Sequence, residues 1–130
     1  EGLSESESST VSLFAQERKI LAGDILFHEG DDATAMYVVK SWTLKAYKDR
    51  STGEQILGYI RPMEILGEMA LFDNDAPKKR VASVRAMEDS QLLVIVDYAI
   101  VELGKKHPVV YEKIADVIRK RSAENNKKNS

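Results

Sequence analysis

Between Arg18 and Tyr59 the apolar residues come in short runs, each cut by turn formers. R-K-I-L closes on Gly23-Asp24, and I-L-F-H-E closes on Gly30-Asp31-Asp32. A-M-Y-V-V-K and W-T-L-K-A-Y-K follow, then a turn from Asp49 to Glu54 containing Gly53, then Q-I-L-G-Y-I. Runs of this length between Gly and Asp clusters predict strands, and many short strands at this spacing predict a barrel or jelly roll. Val81–Met87 and Gln91–Val96 read as the last two strands, joined by the polar turn Glu88-Asp89-Ser90.

After Val96 the period changes. Asp97 is expected to cap a short helix, A-I-V-E-L-G-K-K, that stops before Pro108, because proline disfavours helical geometry in the residue preceding it. Pro108 suits the first turn of a second helix. There Val110, Ile114, Val117 and Ile118 fall on one stripe, expected to pack on the barrel. The ends are different. Residues 1–10, E-G-L-S-E-S-E-S-S-T, hold one apolar side chain, too little to offset the entropy of ordering, and disorder is expected. Val11–Ala15 reads as a strand or a single helical turn. Beyond Arg121 the chain is polar and is expected to fray.

Composition narrows the class. With 130 residues, 43% of them hydrophobic, the chain makes one domain with a core, spanning 11–122 between a disordered tail at 1–10 and a polar tail at 123–130. A net charge of −2 gives no global basic field for nucleic acid. From Lys105 onward, eight Lys or Arg stand against Glu112, Asp116 and Glu124. This is a solvated helix face, with an acidic partner or membrane surface as the alternative. The absence of cysteine excludes disulfides and thiolate metal sites and suits a reducing cytosol. No run of 18 apolar residues predicts a membrane span. A first residue Glu1 rather than Met suggests processing, a tag remnant or excision from a longer protein.

The chemistry concentrates in Gly67–Val84, G-E-M-A-L-F-D-N-D-A-P-K-K-R-V-A-S-V. Gly67 and Glu68 stand at the start of a short helix, where unpaired backbone N–H groups suit an anion. Twelve positions later Arg80 offers a planar guanidinium that can take two phosphate oxygens at once. V-A-S-V then returns as a strand. His28 and His107 share no metal-ligand spacing, and no Ser/His/Asp or G-x-S-x-G arrangement exists, so neither a metal centre nor an enzyme is expected.

These residues resemble the phosphate-binding cassette of the cyclic nucleotide-binding domain, the module of catabolite activators, protein kinase A regulatory subunits and cyclic nucleotide-gated channels. The resemblance extends to Gly23–Ser41, Ile60–Leu71, E-D-S-Q-L-L-V-I and the closing helices, covering about residues 17 to 121. It implies a mainly β fold with flanking α: an eight-stranded jelly-roll β-barrel with a short cassette helix and two C-terminal helices. It further implies a ligand, cyclic AMP, with cyclic GMP as the alternative, and no cofactor. Gly67, Glu68, Met69, Ala70, Arg80, Val81 and Ala82 are the implied ligand-binding residues, with Glu68 on the ribose 2′-hydroxyl, Arg80 on the phosphate, and backbone N–H groups of Met69, Ala70 and Val81 assisting. The family places proline directly before the arginine in a shorter loop. Here Lys78 and Lys79 follow Pro77, so Lys79 stands as the alternative phosphate partner. Trp42 and Met63 occupy positions where the family usually has glycine, and a change of turn shape is expected at both.

The implied role is a cytoplasmic sensor that relays binding through its C-terminal helices to an effector protein or attached domain, with a homodimer through the last helix as a further possibility. A DNA-binding helix-turn-helix is absent from the chain. The alternative role is a degenerate barrel that keeps the fold and serves only as an interaction surface.

Overall fold

A computed structural model describes residues 2–66 and 79–128, with side chains through residue 120. Helix α1 (Glu5–Ser12) precedes strands β1 (Gln16–Ile20), β2 (Ile25–Phe27), β3 (Ala35–Ser41), β4 (Leu44–Arg50), β5 (Gly53–Ile60) and β6 (Ile65–Leu66). Then come β7 (Ser83–Ala86), β8 (Ser90–Val96), α2 (Asp97–Lys106) and α3 (Pro108–Lys128). The strands form two antiparallel four-stranded sheets, ordered β1-β8-β3-β6 and β2-β7-β4-β5.

Two apolar cores flank the first sheet. Between the sheets, Ile20, Leu26, Tyr37, Val39, Leu44, Val84 and Leu92 fill the barrel interior. On the other side of the first sheet, Met36, Val38, Leu93 and Ile95 meet Ile100 and Leu103 of α2 and Ile114, Val117 and Ile118 of α3. The A-M-Y-V-V run of β3 lacks alternation because it is buried on both faces. β5, at the edge of the second sheet, is largely exposed. The stripe on α3 therefore packs on the barrel's outer wall.

The ends differ from expectation. Residues 5–12 form α1, of which 5–10 fall where disorder is expected and Val11 and Ser12 where a strand or a single helical turn is. Ser4 is its N-cap: the Glu7 N–H donates to the Ser4 hydroxyl (3.1 Å) and the Ser4 N–H to the Glu7 carboxylate (2.8 Å), a reciprocal capping box. That second bond holds the Glu7 carboxyl below its usual range. Leu3 and Val11, both buried, pin the segment into the helix-side core, each contributing about 1.5–3 kcal/mol by leaving water. At the other end α3 continues to Lys128, beyond the expected stop at Arg121. The stretch Ser122–Lys128 holds no Gly or Pro, and its Ala, Glu and Lys are good helix formers. Asp97 is the first residue of α2 and Val96 the cap, a displacement of one position; the Asp97 carboxylate accepts from the Tyr98 N–H (2.8 Å).

The two glycine replacements keep the glycine-type backbone, with φ of 66° at Trp42 and 71° at Met63. The expected change of turn shape does not occur. Only Trp42 and Thr43 join β3 to β4, and because these strands belong to different sheets the chain passes from one sheet to the other in two residues, with Trp42 at positive φ. Around Met63 the Glu64 N–H donates to the Arg61 carbonyl (3.0 Å), with Pro62 second and Met63 third, the arrangement of a type II turn. Each bulky residue in this region costs about 1–2 kcal/mol. The Met63 turn is held by its N–H bond to the Val39 carbonyl (2.7 Å) and by the Leu3 N–H, which donates to the Met63 carbonyl (2.9 Å).

Candidate anion site at the barrel interior

Arg80, three residues ahead of β7, has both of its backbone groups engaged by the β2–β3 turn. Its N–H donates to the Asp31 carbonyl (2.7 Å), and its carbonyl accepts from the Gly30 N–H (2.8 Å). Gly30 has φ of 91°, a conformation that only glycine adopts freely. The turn is itself closed by the Asp31 carboxylate, which accepts from the His28 N–H (2.9 Å).

From this anchor the pleat sets direction. Arg80, Ala82, Val84 and Ala86 are buried on the interior side, and Val81 between them is exposed. The Arg80 side chain is 6% exposed. Its Nη2 donates to the Ala35 carbonyl (2.8 Å), and its guanidinium carbon lies 4.2 Å from the Phe27 ring centre and 5.6 Å from that of Tyr37. Lys79 goes the other way: its ammonium pairs with Asp32 on the surface, 61% exposed. The two candidate cations, neighbours in sequence just before β7, thus go to opposite environments. A guanidinium in the barrel interior, beside aromatic rings, can present hydrogen-bond donors to a phosphodiester with little competition from water.

Gly67, Glu68, Met69 and Ala70 lie outside the described residues, as does Lys78. Ala82 is buried beside the arginine, and the Ser83 hydroxyl accepts from the Glu29 N–H (2.9 Å), tying β7 to the segment after β2. His107 packs edge-on against Phe14 and His28 sits near Asp31. Among the described residues no group of three His, Asp or Glu could hold a metal ion, and no helix is long and apolar enough to cross a membrane. Phe27 and Tyr37 escaped the sequence reading: strand alternation would have found them, but β3 is buried on both faces and β2 is only three residues long.

The two sheets close a β-barrel with an arginine turned to its interior, and comparison with known proteins gives its class. The chain belongs to the cyclic nucleotide-binding domain family, whose model matches residues 17–107. It is 30% identical over 124 residues to the cyclic AMP receptor protein of Thermus thermophilus, covering 95% of this chain and 56% of that protein. It is 36% identical over 89 residues to a cAMP-dependent protein kinase regulatory subunit of Hypocrea atroviridis, covering 68% of this chain and 18% of that one. The crystal structure of Thermus thermophilus catabolite activator protein matches 98% of this chain and 59% of its own, at 29% identity and a TM-score of 0.82. The regulatory domain of Toxoplasma gondii PKA with cAMP matches 77% of this chain and 37% of its own, at 31% identity and a TM-score of 0.64. The chain thus spans little more than half the length of the Thermus relative and less than a fifth of the kinase subunit.

Proposed function

We propose that this domain binds a 3′,5′-cyclic purine nucleotide, cyclic AMP in preference to cyclic GMP, and acts as a regulatory sensor without catalysis of its own. The observation that carries the reading is the inward Arg80, fixed by the β2–β3 turn and placed over the Phe27 ring. A cyclic phosphodiester carries one negative charge and leaves 2′-OH as its free ribose hydroxyl. Arg80 takes the charge; Glu68 accepts from the hydroxyl; backbone groups of Gly67, Met69, Ala70, Val81 and Ala82 complete the cradle. Val81 has no hydroxyl to offer a guanine base, and its side chain is exposed, which supports the adenine preference.

Output goes through α3 to an effector protein, an attached domain or a second copy. Calorimetric titration with cyclic AMP, cyclic GMP and linear 5′-AMP tests the reading. Saturable binding of cyclic AMP, tighter than of the other two, is expected. No heat with either cyclic nucleotide would leave the domain as an interaction barrel, and tighter cyclic GMP binding would overturn the base preference.

A further inference from the structure

Trp42 holds a backbone conformation that disfavours bulky side chains, yet 58% of its surface remains exposed. Glycine would sit there without strain, and the ring returns little burial in exchange. Strain of this kind collects at functional sites. The surroundings of Trp42 give it company. The Met87 N–H donates to the Thr43 carbonyl (3.2 Å), the Gly23 N–H to the Ala86 carbonyl (2.8 Å) and the Ala86 N–H to the Asp24 carbonyl (2.9 Å). The turns at 21–24, 41–43 and 87–90 are thereby woven into one rim at an end of the barrel. Leu21 and Met87 are exposed on it, at 53% and 44%.

The rim also has a charge. Asp24, Glu88 and Asp89 lie in these three turns and no cation does; Lys19 and Lys40 stand behind it on β1 and β3. The Asp24 carboxylate accepts from the Leu21 N–H (3.0 Å) and that of Asp89 from the Ala22 N–H (2.9 Å), so two carboxylates are fixed beside an apolar side chain.

We infer that this rim docks a protein segment carrying apolar side chains among lysines or arginines. Tryptophan and methionine are favoured anchors at interfaces, and the carboxylates supply complementarity to a basic partner. An anionic membrane would bring its headgroups against three carboxylates. A two-fold contact between copies would bring the same carboxylates together. The site lies away from Arg80 and its test needs no nucleotide.

Trp42 is the chain's one tryptophan, so its emission reports on the rim directly. The chain is titrated with a leucine/lysine amphipathic peptide, with a leucine/glutamate peptide of the same pattern, and with vesicles of phosphatidylglycerol and phosphatidylcholine. A saturable blue shift with the lysine peptide is expected, with the glutamate peptide about tenfold weaker, the equivalent of about 1.4 kcal/mol. Met87→Ser should weaken the lysine peptide's binding, and Trp42→Gly, followed by calorimetry, should weaken it about tenfold or more without lowering the melting temperature. No shift, equal affinity for both peptides, or undiminished affinity in both variants would overturn the proposal. So would a shift produced by vesicles or by raising the protein concentration alone.

Discussion

The guanidinium of Arg80 lies over the ring of Phe27, 4.2 Å from carbon to centroid. A cation so placed and withdrawn from water gains about 2 kcal/mol from the ring. Phe27 in turn meets Tyr37, ring centres 5.9 Å apart. Two strands from different sheets thus hold one side chain.

Arg80→Ala should weaken cyclic AMP binding by about 2–5 kcal/mol, because truncating one member of a buried charged pair leaves the other unpaired. Lys79→Ala, which removes a surface pair with Asp32, should cost at most about 1 kcal/mol. Arg80→Lys should not restore affinity, since an ammonium lacks the planar fork. Glu68→Gln should cost less than Arg80→Ala, an amide oxygen still accepting from the 2′-hydroxyl. Calorimetry on the four variants decides the order; a damaging Lys79→Ala with a silent Arg80→Ala would reverse the assignment.

Gly2→Ala should destabilise the domain by about 1–3 kcal/mol. A Cβ built on Gly2 meets the Met63 carbonyl oxygen at 2.6 Å, so the chain must move away and take Leu3 with it. Lost together are the Leu3 N–H bond to Met63 and the burial of the Leu3 side chain. Urea unfolding gives the magnitude. Unchanged stability would mean that the N-terminal segment docks without supporting the Met63 turn.

Acid should weaken the second sheet through Glu54. Its carboxylate takes two bonds from Arg85 (2.7 and 3.0 Å) and one from Lys45 (2.8 Å). First the Arg85 and then the Lys45 hydrogen bonds hold its pKa down to about 2 from 4.5. A depressed carboxylate pKa stabilises fully above the ordinary value, and the contribution fades as pH falls from about 4.5 through about 2. Unfolding midpoints of wild type and Glu54→Gln, compared from pH 7 to pH 2, should converge across that window. Parallel curves would assign the acid sensitivity to other carboxylates.

Cyclic AMP should raise amide-exchange protection across Val109–Arg121. A ligand shifts an equilibrium only by its differential affinity for two states, and α3 is the element joined to the barrel through the α2 helix and the His107-Pro108 corner. Ile114 and Val117 are already seated on the outer wall, so the gain should be largest around Val110, which is only partly buried. Confirmed binding with unchanged protection would make α3 a static part of the core.

Much of the barrel was legible because Gly and Asp pairs mark its turns and its strands are short and apolar. The order of elements, the two helices after Val96 and the arginine before the V-A-S-V strand all follow from local pattern. Composition misjudged residues 1–10: their apolar content is low, but Ser4 and Glu7 carry a capping box, and Leu3 with Val11 suffices as anchors. Trp42 and Met63 show the opposite error. The two-residue passage between sheets holds Trp42, and the Arg61–Glu64 turn holds Met63, at positive φ, and tertiary geometry overrides the side chain's preference. Which of Lys79 and Arg80 turns inward depends on how Arg80 is held against the Asp31 turn, which is invisible in a sequence with two basic residues side by side.

β3 has a consequence beyond packing. Tyr37 and Val39 belong to the chamber between the sheets, while Met36 and Val38 belong to the bed on which α2 and α3 rest. Successive residues of one rigid strand thus report to two compartments with no side chain between them free to absorb a misfit. A substitution that enlarges Tyr37's side must displace the strand toward the helices, and one that enlarges Val38 must push it into the chamber. Evolution or design can retune the chamber's volume independently on the second sheet, but on β3 every such change is also a change in where the helices sit.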